Sequence, residues 1–135
     1  MIRNVLCCGL LLWLSMPAHA QEDALTVEQR VPQNVALAFP NDQQLAPQIS
    51  DFEVVNFVPM SNEVGERWAV VTLKNQASGR RTFNQTQIMA LVGDGDRIHP
   101  NAISQVFEAK ETLSIVVNFG VNKFPLLSVY TRLKA

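Results

Sequence analysis

The chain has 135 residues, 17% of them charged, and a formal net charge of −1, so it lacks the basic excess that nucleic-acid binding requires. Its length and its hydrophobic fraction of 47% suit about one packed domain. Both cysteines lie within the first ten residues, which leaves the rest of the chain without disulfide or thiol chemistry.

The first twenty residues have the layout of a secretory signal peptide. Arg3 gives a positive start, residues 5–16 are almost entirely apolar, and Ala18-His19-Ala20 offers small residues for cleavage. The apolar run is shorter than the roughly 20 residues that span a bilayer, which favours cleavage after Ala20 over a membrane anchor. Cleavage would remove one cation and no acid, taking the net charge from −1 to −2. We expect an exported protein, periplasmic or extracellular, without a transmembrane segment in its mature chain.

Residues 21–50 differ in composition from the rest of the chain. They contain six glutamines and three prolines, and proline at this spacing forbids a long helix and disfavours a central strand. The short apolar piece from Val35 to Phe39 could form an edge strand. The sequence therefore predicts an extended arm at 21–50, partly ordered by docking, followed by a single domain at 51–135.

From Asp51 onward, short runs rich in Val, Ile, Phe, Tyr or Thr alternate with turn signals, which predicts an antiparallel β-sandwich or barrel. Turns are expected at 62–65, 75–79, 93–96 and 120–122. The runs are FEVVNFV (52–58), RWAVVTL (67–73), TQIMALV (86–92), ISQVFE (103–108), TLSIVVNF (112–119) and LLSVYTRL (126–133).

Two of these runs indicate how they are placed in a sheet. In TLSIVVNF the odd-numbered residues are all apolar and three of the four even-numbered ones are polar, which predicts one face on a core and one nearer water. In RWAVVTL both faces are mainly apolar, so we expect a central strand that is covered on both faces.

The stretch LVGDGDRIHP (91–100) carries the clearest candidate for chemistry. A calcium loop needs several converging oxygen ligands, yet Arg97 directly follows the second aspartate and the further ligands are missing. The preferred interpretation is a hairpin whose turn uses Gly and Asp at positive φ.

His99 is the one histidine outside the signal peptide. A single histidine without cysteine does not supply the usual ligands of a zinc site. No Gly-x-Ser-x-Gly nucleophile motif accompanies it either. A copper site through Met60, Met89 and His99 is conceivable, but Met89 lies within an apolar run and is better explained as core. Arg80-Arg81 is too small a basic cluster to indicate an acidic ligand. We expect no enzyme activity and no cofactor.

The run RWAVVTLKNQASGRRTF, the stretch ending in GDGDRIHP, and the later strands SIVVNFGV and LLSVYTRL resemble a group of small secreted bacterial immunoglobulin-like domains that includes an immunoprotective extracellular antigen. The resemblance covers residues 51–133. It implies an immunoglobulin-like sandwich of about seven strands that presents loops or edges to a partner, and it implies no catalytic residue. It leaves open whether Trp68 fills the core position of the buried tryptophan in such domains.

Two functions from different classes follow as expectations. The first is a non-catalytic interaction or assembly module of the cell envelope, whose arm could add a strand to another protein's sheet. The second is a periplasmic protein that binds a small ligand or metal through the loop at 93–99. The predicted partner is another envelope or secreted protein, and the candidate contact residues are Val35, Leu37, Phe39, Arg80, Arg81, Asp94, Asp96, Arg97 and His99.

Overall fold

The computed structural model describes residues 24–30, 38–39 and 45–134. This part of the chain consists of β-strands, one short 3-10 turn at Gln85–Gln87 and connecting loops, with no α-helix. The predicted signal peptide at 1–20 lies outside it. The strands are β1 Thr26–Val27, β2 Ile49–Ser50, β3 Phe52–Ser61, β4 Glu66–Asn75, β5 Arg81–Asn84, β6 Met89–Val92, β7 Arg97–Ile98, β8 Ser104–Phe107, β9 Thr112–Val121, β10 Leu126–Tyr130 and β11 Arg132–Leu133.

Three ten-residue strands, β3, β4 and β9, form the main sheet. Together with β1 they run in the order β1-β3-β4-β9, and every neighbouring pair is antiparallel. The alternation predicted for β9 is confirmed. Val117 is 1% exposed and Phe119 is 5% exposed, whereas Val116, the residue before Val117, is 54% exposed. One face of this sheet therefore packs on the core and the other is nearer water.

The second sheet has the order β10-β6-β7, again antiparallel. All four residues of β6 are buried, which agrees with its unbroken apolar sequence MALV. Two smaller pairs complete the architecture. Strands β5 and β8 pair antiparallel, and the short β2 and β11 pair parallel.

The core lies between the two sheets and joins their inner faces in one cluster. Phe52, Phe83 and Phe107 belong to this cluster, and their ring centres lie 5.0 to 6.3 Å apart in edge-to-face arrangements. Such contacts add about 0.5–1.5 kcal/mol per pair beyond the burial of their area. The predicted all-β antiparallel class is confirmed, and the arrangement is sandwich-like; the immunoglobulin-like strand connection stays a prediction.

Trp68 does not occupy the core. It is half-buried on the outer face of β4, where its indole Nε1 donates to Glu66 Oε2 at 3.2 Å. The central placement of β4 between β3 and β9 is confirmed, but its predicted burial on both faces is wrong. Ala69, Val71 and Leu73 are fully buried on one face, whereas Trp68 and Val70 on the other remain partly exposed.

Candidate functional site

Three turns meet at one end of the sandwich, at residues 62–65, 93–96 and 120–125, which we call the turn end. The first turn closes because Gly65 donates to the Asn62 carbonyl at 3.1 Å, with Gly65 at φ 89°. The turns are joined by main-chain hydrogen bonds, from Asn122 N to Gly65 O and from Gly93 N to Pro125 O, both 3.0 Å long. The three segments are thus joined by main-chain hydrogen bonds into one surface.

Large apolar side chains are exposed at this end. Val64 is 55% exposed, Val121 is 69% exposed and Phe124 is 38% exposed. Close approach of the segments explains Gly93, where a Cβ would lie 3.2 Å from Phe124 Cβ. Gly65 is favoured by its φ of 89°, because a Cβ there would only reach ordinary contact, 3.8 Å from Val121 Cγ1. Neighbouring apolar side chains that face water are typical of interaction surfaces.

Residues 93–96 form the predicted hairpin turn between β6 and β7. Asp94 Oδ1 accepts from Asp96 N at 3.0 Å, and Asp96 O accepts from Val92 N at 2.9 Å. Gly95 has the expected positive φ, at 92°, but the expectation of positive φ at the aspartates is wrong. A carboxylate oxygen of Asp94 is therefore used within the turn, as in an Asx turn.

The arm docks on this hairpin. Gly95 is buried, and a Cβ added to it would lie 2.9 Å from both Cβ and Cγ of Phe39. Ala38 and Phe39 are not part of a strand, so the edge strand expected from Val35 to Phe39 does not extend to its last two residues. Val35 and Leu37 lie outside the described residues. The structure thus places one arm residue, Phe39, on the same turn as Asp94 and Asp96.

Arg97 and His99 follow the turn and contact their own chain. The Arg97 guanidinium lies 5.3 Å from the centre of the Tyr130 ring, within the range of a cation–π interaction. His99 Nδ1 lies 3.0 Å from the carbonyl oxygens of both Gln85 and Ile88. Because both neighbours are acceptors, Nδ1 carries the proton and donates, so the ring connects this loop to the 3-10 turn.

Arg80 and Arg81 lie at the other end of the sandwich. Arg80 pairs with Glu108 at 2.8 Å on the surface, and Arg81 Nε donates to Asp51 Oδ2 at 3.1 Å. The hydrogen bond from Arg81 lowers the pKa of Asp51, and Lys134 contributes in the same direction. The predicted contact residues therefore divide between the two ends and do not form one surface.

Asn75 organises this second end, and it is fully buried. Its Nδ2 donates to the carbonyls of Gly79 and Glu108 at 3.0 Å each, and its Oδ1 accepts from Ala77 N at 3.0 Å. Asn75 is also the first residue of the turn expected at 75–79. Its structural role is to tie the β4–β5 loop to the β8–β9 loop.

A shallow groove beside β1 is lined by residues of β3 and by Glu28 and Arg30. Arg30 lies 5.5 Å from the centre of the Phe57 ring and donates to the Phe57 carbonyl at 3.2 Å. Glu28 Oε1 accepts from Ser61 Oγ at 2.7 Å and from Arg67 Nη1 at 2.6 Å. These charged side chains thus attach the arm to the main sheet.

Sequence reasoning missed Val64, Val121 and Phe124. Each lies within one residue of a glycine, asparagine, lysine or proline in a turn signal, as in NEVG, GVN and NKFP. A large apolar side chain inside a predicted turn is not expected to reach the core, so its presence there could have indicated an exposed contact residue.

Within the described ranges, no three His, Cys, Asp or Glu side chains are grouped so that they could hold a metal ion. No helix in the same ranges is long and apolar enough to cross a membrane. Comparison with known proteins found no matching family model, no matching curated protein and no matching solved structure.

Proposed function

We propose that this protein is an exported, non-catalytic interaction module of the bacterial cell envelope, and that it contacts another envelope or secreted protein through its turn end. The proposal combines the signal-peptide pattern of residues 1–20 with the chemistry of the exposed turns. At the turn end, exposed apolar side chains lie on segments that main-chain hydrogen bonds join to one another.

The observation that carries the proposal is the joint exposure of Val64, Val121 and Phe124 on turns that are hydrogen-bonded to one another. Burying exposed apolar side chains against a partner stabilises the complex by about 25 cal/mol per Å² of apolar surface removed from water. Segments that are already joined by hydrogen bonds lose less conformational entropy on binding. Asp94 and Asp96, both exposed beside these residues, would form a polar rim.

The docked arm supports this assignment. Because Phe39 packs on Gly95, its ring is next to the hairpin rather than free to enter another protein's sheet. We propose that the arm holds the hairpin in position, in place of the strand insertion expected from its sequence.

The absence of catalysis remains part of the proposal, and two contacts support it. His99 Nδ1 donates to main-chain carbonyls, whereas an orienting carboxylate would be expected in a triad. Asp94 Oδ1 accepts from Asp96 N, so this carboxylate oxygen holds the turn and does not orient His99.

The test is capture of partners from the native envelope with the tagged protein. A double variant, Val121→Ser with Phe124→Ser, should lose a stoichiometric partner that the wild-type protein retains. Val55→Ser is the matched control, because Val55 is 51% exposed on β3 away from the turn end. Thermal melts should show that all three proteins are folded. An unchanged partner in the double variant, or the absence of any stoichiometric partner, would reject the proposal.

A further inference from the structure

The two edges of the main sheet differ in how far the rest of the described chain covers them. The β3 edge is covered by the chain itself: Glu28 N donates to Pro59 O at 2.8 Å near one end, and Thr131 Oγ1 donates to Phe52 O at 2.7 Å at the other. The β9 edge is contacted at Asn118, whose carbonyl accepts from Asn101 N at 2.8 Å. Strand β8, which precedes β9 in the chain, pairs with β5 instead. No strand of the described ranges pairs with β9 on this side.

The hydrogen bonds that flank this stretch show which main-chain groups point outward. The Glu111 carbonyl accepts from Asn75, at the end of β4, and the Asn118 carbonyl points away from β4 to Asn101. Main-chain groups alternate in direction along a strand. The N–H and C=O groups of Thr112, Ser114 and Val116 therefore face the open edge.

The stretch of β9 at the open edge, residues 112–116, contains no charged residue and no proline, and Val116 is 54% exposed. The irregularity in the pairing of β4 with β9 lies beyond this stretch, between Asn118 and Val121. Edge strands in soluble proteins are usually protected by lysine, proline or a bulge, because an unpaired edge accepts further strands. An unprotected stretch of this kind indicates a site of strand addition.

We propose that the occupant of this edge is a second copy of the same chain, paired antiparallel with β9 across a two-fold axis at Ser114. The register follows from the free groups. Because Asn118 is already bonded, the outward residues are Thr112, Ser114 and Val116, and the middle one is Ser114. A symmetric antiparallel pair that uses all three has Ser114 opposite Ser114 and Thr112 opposite Val116, with each facing pair exchanging both of its main-chain hydrogen bonds.

The side chains suit this pairing. On the inner face, Leu113 would lie opposite Ile115 of the second copy, and both are partly exposed residues packed against the core. On the outer face, small or β-branched side chains meet, and no like charges oppose each other. Apolar and Thr-containing cross-strand pairs stabilise sheets by about 0.2–1 kcal/mol each.

The dimer should be weak. Five residues a side bury much less than the ~1,600 Å² of a standard interface, so the dissociation constant should be on the order of micromolar or weaker. The inference goes beyond the proposed function and is independent of it, because the turn end and the 112–116 edge are separate surfaces.

The test is sedimentation equilibrium of the purified protein over a wide range of concentrations. Ser114→Lys places two ammonium groups against each other at the axis and should raise the dissociation constant at least about tenfold. Thr72→Lys is the matched control. It adds the same charge and removes the same 2.8 Å hydrogen bond between Thr72 and Ser114, but it lies one strand inward, where opposing charges are farther apart and screened.

Wild type and Thr72→Lys should therefore dimerise alike. As a second readout, the amides of Ser114 and Val116 should exchange more slowly as concentration rises. A wild-type protein that stays monomeric, or a dimer equally strong in Ser114→Lys, would overturn the proposal. If wild type is monomeric, envelope capture repeated with Ser114→Lys tests for a foreign strand, and loss of a partner there would assign the edge to it. Sedimentation uses only the purified protein, so a monomeric result by itself would leave the turn-end proposal standing.

Discussion

Gly95 decides the geometry of the arm's contact with the domain. Its φ of 92° lies in the region that side chains disfavour, and Phe39 occupies the space a Cβ would need. The sequence GDGD predicts the positive φ, since glycine is the default residue there. It could not predict Phe39 as the neighbour, because that contact joins residues far apart in the chain.

Gly95→Ala should lower the free energy of unfolding by about 1–3 kcal/mol, through backbone strain and the clash with Phe39. Urea denaturation measures the change. Gly79→Ala is the control, because the nearest atom to its new Cβ is the flexible end of Arg81, at 3.2 Å. Equal effects in the two variants would contradict both the backbone strain at Gly95 and its contact with Phe39.

Asp51 makes stability depend on pH. Its pKa is lowered mainly by the hydrogen bond from Arg81; burial, the next largest effect, opposes this, and Lys134 lowers the pKa further. A lowered folded-state pKa contributes stability that is complete above the unfolded value of about 3.9 and is lost as the pH falls through the folded value.

Asp51→Asn should therefore be less stable than wild type at pH 7, and the difference should shrink below about pH 4. Urea midpoints of both proteins between pH 7 and pH 2 measure it. Glu108→Gln, which affects an exposed pair with Arg80, should change stability little. A wild-type advantage that grows as the pH falls would contradict the assignment.

At the scale of elements, strands within apolar or β-branched runs could be predicted, including the four-residue β6 and β8, whereas strands without such a run could not. Each of the six predicted runs contains a strand, because Val, Ile and Phe at alternate positions determine both the element and its buried face. Strand β5, RTFN, was missed because a single apolar residue, Phe83, carries its burial. The start of TQIMALV forms a 3-10 turn because Asn84 caps it, with Thr86 N donating to Asn84 Oδ1 at 2.9 Å.

The aromatic core shows how much one residue of a missed strand can contribute to stability. Phe83→Leu should destabilise the protein by about 1–3 kcal/mol, because it removes two edge-to-face contacts and leaves part of the ring volume empty. Trp68→Phe, on the outer face of β4, should cost less than about 1 kcal/mol. Thermal or urea denaturation compares the two, and a larger loss at Trp68 would mean that the tryptophan has a core role after all.

At the scale of the molecule, the arm is part of the main sheet. Its β1 extends the sheet past β3, and Glu28 links it to Arg67 through a 2.6 Å ion pair in which both side chains are largely buried. The composition of 21–50 predicted an arm that docks, but not where. Likewise, the candidate contact residues could be chosen from their side-chain chemistry. Their division between the two ends of the sandwich depends on pairing between strands that are far apart in the sequence, which the sequence pattern does not reveal.

Glu28→Ala should detach this segment, because Arg67 and Ser61 lose their shared acceptor. Trypsin should then cleave after Arg30 faster than in wild type. Glu63→Ala, an exposed residue of the first turn, is the control and should leave the cleavage rate unchanged. No acceleration in Glu28→Ala would mean that the ion pair does not hold the arm.

The parallel pairing of β2 with β11 has a consequence for the order of events during synthesis. Ile49 and Ser50 pair with Arg132 and Leu133, and Lys134 N donates to Ser50 O at 3.2 Å. The early partner emerges about eighty residues before the late one, so it must wait unpaired until the late one has been made. Closing such a loop is slow compared with forming local hairpins. The β2–β11 pair therefore forms after the local hairpins, and Ile49 and Ser50 remain open to chaperones and proteases until then.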